Sequence, residues 1–562
     1  ASGLYSVDDP SAENAVVDAA AAARLPATGA HEITKLYGLR TRTRTAVINA
    51  SILPRMIETA NSVERSVAGA GILAPLMIMR GDGGVMGIEQ VRRRPILTLV
   101  SGPAAGVAGA LMHERISDGI FLEVGGTSVD CSAIRDGRVQ VSYATLGGHP
   151  TYLQSLDVRS LGVGGGSIVR LHDGKLDVGP RSAHIAGLDY AVYQRPEDLA
   201  GASLCALSPL AGDPADYVAI EAGGRRFALT LSCAANVAGF VEPDDWARGN
   251  VDAARAGFAP LAAALGTTVD EAAQRVVAAA VAKTRPTVEQ LAKDYGIDRG
   301  RFVLAGGGGG ASTLVPALAR ALGCEHAIVR NAQVISPIGV ALALVREVVE
   351  RMIPQASAED IRRVRDEAAE AAVASGAARE TIEVEVSVDR QRNVVRAIAL
   401  GATELRARDL REVELGEDAR RARAAESLAA PTAEIELAAQ TPQFFVYRAL
   451  LKPKGLLGRF ARAKSALRVL DREGVVRLRV PDGRVVTTTR SGVSGELRSV
   501  LDTLTSYDDA GKLLPSVHVV VKDKIVHLGG LSDAELVVSL AADQMASIEP
   551  GEPALIVAEA RG

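Results

Sequence analysis

The chain has 562 residues, which at roughly 150 residues per domain predicts about three or four folded units and excludes a single small module. Its 48% hydrophobic and 23% charged residues indicate a globular protein rather than a disordered one. A formal net charge of -4, with only 8 Phe, 10 Tyr and 1 Trp, gives neither a basic field nor stacking platforms. We therefore expect no nucleic-acid partner.

The cysteines and the hydropathy pattern predict a cytoplasmic protein. The four cysteines, Cys131, Cys205, Cys233 and Cys324, lack CxxC spacing and are interpreted as small buried hydrophobes in a reducing compartment. No window approaches the roughly 18 apolar residues that span a bilayer, and the first residues lack a signal-peptide pattern. We expect no membrane contact.

The first 114 residues predict helices around one short strand. A strand end precedes the turn at Asp8 to Pro10, and an Ala-rich helix follows over 12–24. Residues 66–71 form the end of another helix, a buried strand covers 76–79, and a turn follows at 81–84. A helix over 104–114 carries small residues at helical spacing, a pattern that lets a second helix cross closely.

Strands and glycine turns dominate the next part. A strand over 119–124 leads through a Gly-Gly-Thr-Ser turn into a second strand, and a glycine run covers 162–167. Residues 250–295 are predicted to be helical, and a buried strand over 301–305 enters five glycines and a helix over 313–322.

The remaining third changes character. A second small-residue helix is predicted from Ile338 toward Val349, followed by a charged, solvated helical connector within 346–375. Alternation from Thr381 onward predicts strands, including 475–480 and 517–521.

The strongest local signal is the octamer Glu123 to Asp130. Its glycines let backbone N–H groups face phosphate oxygens, and its Thr and Ser add hydroxyl donors. Asp130 is a carboxylate suited to Mg²⁺, which takes a few carboxylates with phosphate oxygens and water. A plain hairpin turn is the alternative interpretation of these eight residues.

The second signal is the glycine run 306–310 between a strand and a helix. Such a turn brings backbone close to a flat ligand, and the helix N-terminus favours phosphate. The run has neither the Lys of a Walker A loop nor the Rossmann spacing. A flexible loop is the alternative.

The order of these features resembles the second half of an actin-like, sugar-kinase-like ATPase, in which two crossing helices form a hinge beside the nucleotide. Several stretches also resemble the hydantoinase A and oxoprolinase family. They are His31-Glu32, Tyr37 to Leu39, Arg42 to Ala50, Met79 to Gly84, Ser101 to Gly106, Gly125 to Ser128 and Gly164 to Ser167. The resemblance extends over about residues 12–345.

The resemblance implies an α/β fold with actin-like (ribonuclease H-like) ATPase lobes and a C-terminal α+β domain. The domains expected are 1–118, the rest of a first lobe, 119–353, a second lobe, 354–380, a connector, and 381–562, a subunit-contact domain. It further implies ATP and Mg²⁺ as cofactors and an ATP-dependent hydrolase of cyclic amides, or a carboxylase, working in a complex. The substrate is a lactam, a hydantoin or a ketone, and its carbonyl oxygen is phosphorylated.

The candidate site residues fall into three groups. Catalytic roles are assigned to Asp130, Glu123 and His184, the last as a proton shuttle. Glu123, where the family usually has Asp, and Asp130 are the metal candidates. The nucleotide is assigned to Gly125, Gly126, Thr127, Ser128, Gly306, Gly307, Gly308, Gly309 and Ser312.

The resemblance also predicts partners. Family members begin with an Asp-x-Gly-Gly-Thr phosphate loop, and this sequence starts beyond it. We therefore expect that another polypeptide supplies the loop, next to a hydantoinase B-type subunit, or that the chain is a processed or truncated piece. The apolar surface near 4–20 and 96–112 is then expected to be covered by a partner chain or, without that chain, to be conspicuously exposed. A non-catalytic nucleotide switch, such as a reactivating chaperone, or a scaffold subunit stays open as the alternative function.

Two geometric expectations and one surface expectation follow. The turns at 125–127 and 307–309 should meet at one cleft, and the two small-residue helices should cross at Gly106/Gly109 and Gly339/Ala341. The basic residues Lys452, Lys454, Arg459, Arg462, Lys464 and Arg468 indicate a solvated face packed on one side, or else a subunit contact or a basic amphipathic helix that touches a membrane or an acidic partner.

Overall fold

The structure is a computed structural model of the chain. It describes residues 1–114, 116–297, 302–389, 392–402, 414–451, 463–508, 511–529, 531, 533–546 and 548–559. Most of the predicted basic stretch, residues 452–462, lies outside the described residues. Within these ranges, no helix is both long and apolar enough to cross a membrane.

The first 114 residues are mainly helical, as the sequence predicts. The elements are α1 (Ser11–Ala22), α2 (Ala30–Ile33), α3 (Leu39–Gly69), β1 (Met77–Met79), β2 (Val85–Gly87), α4 (Ile88–Arg93) and α5 (Ser101–Glu114). The predicted strand end before Asp8 is wrong. The Tyr5 carbonyl accepts the N–H groups of Asp8 and Asp9 at 2.9 and 3.1 Å, so this segment is a turn.

Residues 119–228 are built from strands. They are β3 (Gly119–Val124), β4 (Val129–Arg135), β5 (Arg138–Val139), β6 (Val141–Leu146), β7 (His149–Leu156), β8 (Val158–Leu161), β9 (Ser167–His172), β10 (Lys175–Ser182), β11 (Asp189–Tyr190), β12 (Ser203–Leu207), β13 (Tyr217–Ala222) and β14 (Arg225–Ala228). Strands β10, β9, β13, β14 and β11 form one sheet, with β12 on β13, and β6 pairs with β7.

Helices and a parallel strand pair follow, and their ends are set by local signals. The elements are α6 (Leu231–Val237), α7 (Val251–Leu265), α8 (Val269–Asp294), β15 (Val303–Gly307), α9 (Ala311–Leu322), β16 (Glu325–Ile328), α10 (Ile335–Leu342) and β17 (Val345–Met352). The predicted helical region 250–295 divides at Gly266, which is left-handed at φ 62°. Thr268 and Glu271 then form a capping box that starts α8.

The last third alternates helices with antiparallel strands. Its elements are α11 (Ala358–Ala374), β18 (Glu383–Asp389), β19 (Val394–Gly401), α12 (Glu417–Leu428), β20 (Glu436–Gln440), β21 (Phe444–Leu451), β22 (Lys464–Asp471), β23 (Val476–Val480), β24 (Gly483–Thr489), α13 (Val493–Leu504), β25 (Ser506–Asp508), β26 (Gly511–Leu513), β27 (Ser516–Val521), β28 (Lys524–His527), α14 (Ala534–Gln544) and β29 (Pro553–Glu559). Strands β20 to β23 form one sheet, and β24, β29, β27 and β28 form another.

The sheet that positions the site has the order β16, β15, β3, β4, β5, with β8 paired to β4. Strands β3, β4 and β5 are antiparallel neighbours, whereas β15 runs parallel to both β3 and β16. Ile120, Phe121 and Leu122 are completely buried in β3. This central sheet, flanked by helices, is the mixed α/β arrangement that the sequence predicts.

The predicted helix from Ile338 to Val349 is only half right. Helix α10 ends at Leu342, and residues 345–352 are the strand β17, which pairs antiparallel with β19 over its whole length. The β-branched Val345 and Val349 suit a strand, and β19, which satisfies its backbone, is about 50 residues away in sequence. Pairing with a distant strand therefore decides the structure of residues 345–352, and the local helical pattern does not.

The charged segment 346–375 contains the predicted helix, α11, but this helix is not a solvated connector. Its Ile361, Val364 and Ala368 are buried against the sheet of β1, β2, β17, β19 and β18. That sheet takes strands from both sides of the predicted boundary at 354–380. The division into domains stays a prediction.

Candidate nucleotide-binding site

The two predicted glycine turns meet. Strands β3 and β15 are parallel neighbours with Gly307 opposite Glu123, so both chains turn at the same edge of the sheet. The Gly310 N–H donates to the Val124 carbonyl at 2.9 Å. Gly308 has φ +82°, and a Cβ there would lie 2.4 Å from the Val124 carbonyl oxygen, so the close approach requires glycine.

The five glycines of the second turn divide into two roles. Gly306 and Gly307 are buried, and a Cβ at Gly307 would lie 2.5 Å from the Phe121 ring. These two glycines therefore give close packing in the core. Gly308 and Gly309 are half-buried and carry the part of the turn that a ligand can reach.

A third glycine segment, which the sequence had not suggested as part of the site, braces the first turn. The N–H groups of Gly165 and Gly166 donate to the carbonyls of Gly125 and Gly126 at 2.9 and 2.8 Å. A Cβ at Gly164 would lie 2.6 Å from the Gly125 oxygen. Three consecutive glycines just before a strand were the available signal. Gly125 and Gly126 remain exposed, so the outer side of the turn is open.

The hydroxyls of the turns are already engaged with the protein. Thr127 Oγ1 and Ser182 Oγ are 3.0 Å apart. Ser312, in the first turn of α9, is buried and donates to the Asp245 carboxylate. The assignment of Thr127 and Ser312 to the nucleotide stays a prediction, and the hydrogen bonds show that both side chains also fix the turns.

Glu123 is the site's unusual carboxyl group. Ser336 in α10 donates to one oxygen, whereas the other, Oε2, is buried and has no hydrogen-bond partner among the described residues. Burial raises the pKa of Glu123 to about 7, with a further increase from the charge of Asp130, against the lowering effect of Ser336. A carboxylate in this setting is stabilised by a cation.

Asp130 lies directly opposite Glu123 on the antiparallel strand β4. Its carboxylate accepts a hydrogen bond from Ser160 of β8. Residues opposite each other in an antiparallel pair carry their side chains on the same face, so both carboxylates lie on one side of the sheet. Oxygen donors beside phosphate-type turns, one of them an orphaned oxygen, fit Mg²⁺. The structure thus places both predicted metal residues together.

His184 follows Ser182 and Ala183, which contact Thr127 and the Gly166 carbonyl. It is exposed in the turn after β10, two residues beyond Ser182, and its carbonyl accepts the Gly187 N–H at 3.1 Å. No contact described for its side chain joins it to Glu123 or Asp130. Its role as a proton shuttle therefore stays a prediction.

Trp246, the single tryptophan, stands beside the second turn, a position that its sequence neighbours did not indicate. The residue is 71% exposed, and a Cβ at Gly309 would lie 3.2 Å from its indole ring. Buried Asn236 holds the backbone that follows it, donating to the Ala247 carbonyl at 3.0 Å and accepting the Gly249 N–H at 3.1 Å. The preceding residue, Asp245, binds Ser312. An exposed, well-braced indole presents a flat surface next to the open glycines.

The two small-residue helices do cross, but at different positions from those expected. A Cβ at Gly109 would lie 2.4 Å from the Ile335 carbonyl oxygen, and one at Gly339 would lie 1.9 Å from that of Ala105. Gly109 and Gly339 are therefore confirmed. Gly106 instead faces Glu123, since a Cβ at Gly106 would lie 2.1 Å from Oε2 of that carboxylate. Ala341 is exposed, so the expectations for Gly106 and Ala341 are both wrong.

The comparisons with solved structures agree with this geometry. An ATP-dependent caprolactamase from Pseudomonas jessenii superposes with a TM-score of 0.54 at 19% identity, covering 86% of this chain and 71% of that one. Nucleotide-free acetone carboxylase gives a TM-score of 0.50 at 16% identity with the same coverage. These likenesses show the fold.

Sequence comparisons identify relatives with caprolactamase and oxoprolinase names. The caprolactamase subunit alpha of Pseudomonas jessenii is 31% identical over 188 residues, 32% of this chain and 27% of that protein. The 5-oxoprolinase of Saccharomyces cerevisiae is 27% identical over 157 residues, 27% of this chain and 12% of that protein. The matched segments thus span about a quarter of the first relative and less of the second. The hydantoinase/oxoprolinase family profile matches residues 42–349, more than half of the chain, and the chain therefore belongs to the hydantoinase/oxoprolinase family.

Proposed function

We propose that this chain binds ATP at the paired glycine turns and acts as the phosphorylating component of an ATP-dependent amide hydrolase or carboxylase. The observation that carries the proposal is the meeting of the turns at 125–128 and 308–310 beside Glu123, whose Oε2 is buried without a partner among the described residues. Related proteins are named as ATP-dependent caprolactamase and acetone carboxylase, which supports ATP use in either reaction.

The residues of this chain would act mainly by positioning. The exposed turn at Gly125 and Gly126 and the helix α9 behind Gly310 direct backbone dipoles toward phosphate oxygens. Glu123 and Asp130 would hold Mg²⁺, which when bound neutralises charge on the phosphate oxygens. In the transfer, the bond between the γ-phosphorus and the ADP oxygen breaks and a bond to the substrate carbonyl oxygen forms. The carbonyl carbon then becomes open to attack.

The substrate and the second reactant belong to the same proposal. For a lactam or hydantoin, water would add to the carbonyl carbon, the C–N bond would break, and the resulting acyl phosphate would be hydrolysed to a carboxylate and phosphate. A ketone would lose an α-proton to form its enol phosphate, and its α-carbon would then attack carbon dioxide as phosphate is released. The relative named as a subunit alpha supports a partner subunit for this chain, for which a hydantoinase B-type polypeptide is the proposal. The crossing of α5 and α10 beside Glu123 would couple lobe movement to the carboxylates, since Ser336 in α10 binds Glu123.

Calorimetry with Mg-ATP on the chain with its partner subunit tests the binding step. Gly164→Ala should lower the affinity by about tenfold or more, because its Cβ would meet the backbone of the turn at 125–128 within 2.6 to 2.9 Å. Gly102→Ala, which faces open space, is the matched control and should bind like the wild type.

Phosphate release tests the reaction step. A lactam, a hydantoin and a ketone are each added to the complex with Mg-ATP, and one of them should stimulate hydrolysis. ATP binding without stimulation by any of the three would favour the nucleotide switch over the enzyme. Equal ATP affinity of the Gly164→Ala and wild-type complexes would contradict the proposal that ATP binds at these glycine turns.

A further inference from the structure

A second site lies away from the glycine turns. A cavity of about 1130 Å³ opens between α2, α4, β17 and α11, and its lining shares no residue with the turns at 125–128, 164–166 and 308–310. Ligand-binding cavities commonly occupy several hundred to about a thousand Å³, so this one has room for a small molecule. Its walls are strongly charged.

Most of these charges are already paired. In the floor, buried Arg80 binds Asp82 at 2.9 Å and Glu347 at 2.9 Å. Burial by itself would raise the pKa of Asp82, but the charges of Arg80 and Arg346 outweigh it and lower that pKa. These groups form a closed network, which gives the cavity a rigid polar floor rather than a free charge.

Among the cationic side chains of the lining that the structure describes, Lys35 is the exception. It lines the cavity half-buried, and within the described ranges no hydrogen bond or ion pair joins its ammonium group. Burial lowers the pKa of Lys35, and the positive charge of Arg351 lowers it further, against the raising effect of the neighbouring carboxylates. The acids nearest to it are bound elsewhere: Glu367 to Arg351 at 2.8 Å, Glu32 to Arg93 at 2.9 Å, and Glu13 to His31 at 2.7 Å. A half-buried ammonium group that has no ion pair of its own is only partly compensated by these more distant charges.

His31 lines the same cavity and is held in one orientation. Its Nδ1 is 2.7 Å from Oε2 of Glu13, which also accepts the His31 backbone N–H at 2.9 Å, while Oε1 accepts the Gly3 N–H at 2.7 Å. Although burial opposes ionisation, these hydrogen bonds lower the pKa of Glu13 to about 2. In the tautomer whose Nδ1 donates to the Glu13 carboxylate, Nε2 is the ring nitrogen that can accept a hydrogen bond from a ligand.

We propose that this cavity binds a small carboxylate-bearing molecule, with its carboxylate paired to Lys35 and a neighbouring hydroxyl or N–H group donating to Nε2 of His31. The carboxylate of the ligand would give Lys35 the direct ion pair that it lacks within the described residues, and the Glu13–His31 pair adds selectivity for a donor. This inference does not depend on ATP binding.

Titration calorimetry in the absence of ATP tests the site with three probes of matched size. Malate carries carboxylates and a hydroxyl group, succinate lacks the hydroxyl group, and succinamide lacks the charge. Malate should bind best, succinate more weakly, and succinamide about tenfold more weakly still. Lys35→Met should weaken both acids by about tenfold or more, and His31→Gln should remove the preference for malate over succinate.

Lys175→Met, at an exposed lysine of β10, is the control and should bind all three probes like the wild type. Lys35→Met removes an unpaired charge and is expected to keep the wild-type melting temperature or exceed it, so weaker binding is not a sign of unfolding. Equal binding of acids and amide, wild-type affinity in Lys35→Met, or no binding of malate at about 10 mM would each overturn the proposal. None of these results would affect ATP binding, which is measured separately.

Discussion

Gly339 in α10 lies so close to Ala105 in α5 that a Cβ at Gly339 would be 1.9 Å from the Ala105 carbonyl oxygen. The neighbouring atom is backbone and cannot rotate away. Gly339→Ala should therefore force the helices apart and reduce the free energy of unfolding by about 1–3 kcal/mol.

Denaturant unfolding of Gly339→Ala measures this effect. Gly495→Ala is the matched control, because Gly495 is also helical, in α13, but its Cβ would face open space. The free energy of unfolding of the Gly495→Ala control should rise by up to about 1 kcal/mol, because Ala has a higher helix propensity than Gly. Equal stability of Gly339→Ala and the wild type would contradict the close crossing.

A second prediction concerns Glu123. Its pKa is raised to about 7 from the ordinary 4.5, so the folded state binds more protons than the unfolded state between these values. The stability contribution is complete below about pH 4.5 and is lost as the pH rises through 7. At pH 8, Glu123→Gln should therefore raise the free energy of unfolding by about 1–3 kcal/mol.

The same variant should lose the stabilisation by Mg²⁺ with ATP that the wild type shows, since a neutral amide is a poor ligand for Mg²⁺. Thermal unfolding at pH 8, with and without Mg-ATP, measures both effects. Glu58→Gln, at an exposed glutamate of α3, should change neither. A Glu123→Gln variant no more stable than the wild type at pH 8 would mean that the carboxylate is better solvated than the structure indicates.

Trp246 gives the third prediction, because it is the single tryptophan and its fluorescence reports on one place. With 71% of the residue exposed beside Gly309, its emission should change when Mg-ATP binds to the complex. Trp246→Phe should keep most of the affinity for Mg-ATP. Trp246→Ala should weaken the binding free energy of Mg-ATP by about 1–3 kcal/mol, because the stacking surface is lost. Unchanged emission at saturating Mg-ATP would show that the indole does not contact the nucleotide.

Local residue types made the glycine turns and helices predictable, because glycine runs, caps and apolar periodicity act within a few residues. What the sequence did not reveal depends on distant partners. Strand β17 exists because β19 pairs with it, and the contact of Gly106 with Glu123 rather than with α10 follows from helix rotation against the sheet. The Glu13–His31 pair joins residues 18 positions apart without any motif.

The last prediction concerns pH and two histidines on adjacent strands of the C-terminal sheet. Nδ1 of His518 in β27 is 2.9 Å from Nδ1 of His527 in β28, so both rings cannot be charged without repulsion. Burial and then the charge of His527 lower the pKa of His518 to about 3, and burial also lowers that of His527 despite nearby Glu385.

Because an unfolded histidine titrates near 6.5, the unfolded state binds more protons than the folded state between about pH 6.5 and 3. The pair therefore reduces stability as the pH falls through this window and has no such effect above it. His518→Gln, which keeps a hydrogen-bonding group, should flatten the loss of unfolding free energy between pH 7 and pH 5. His149→Gln, at an exposed histidine of β7, should follow the wild-type curve. Parallel curves for His518→Gln and the wild type would show that acid destabilisation arises from other groups, such as the carboxylates held in ion pairs.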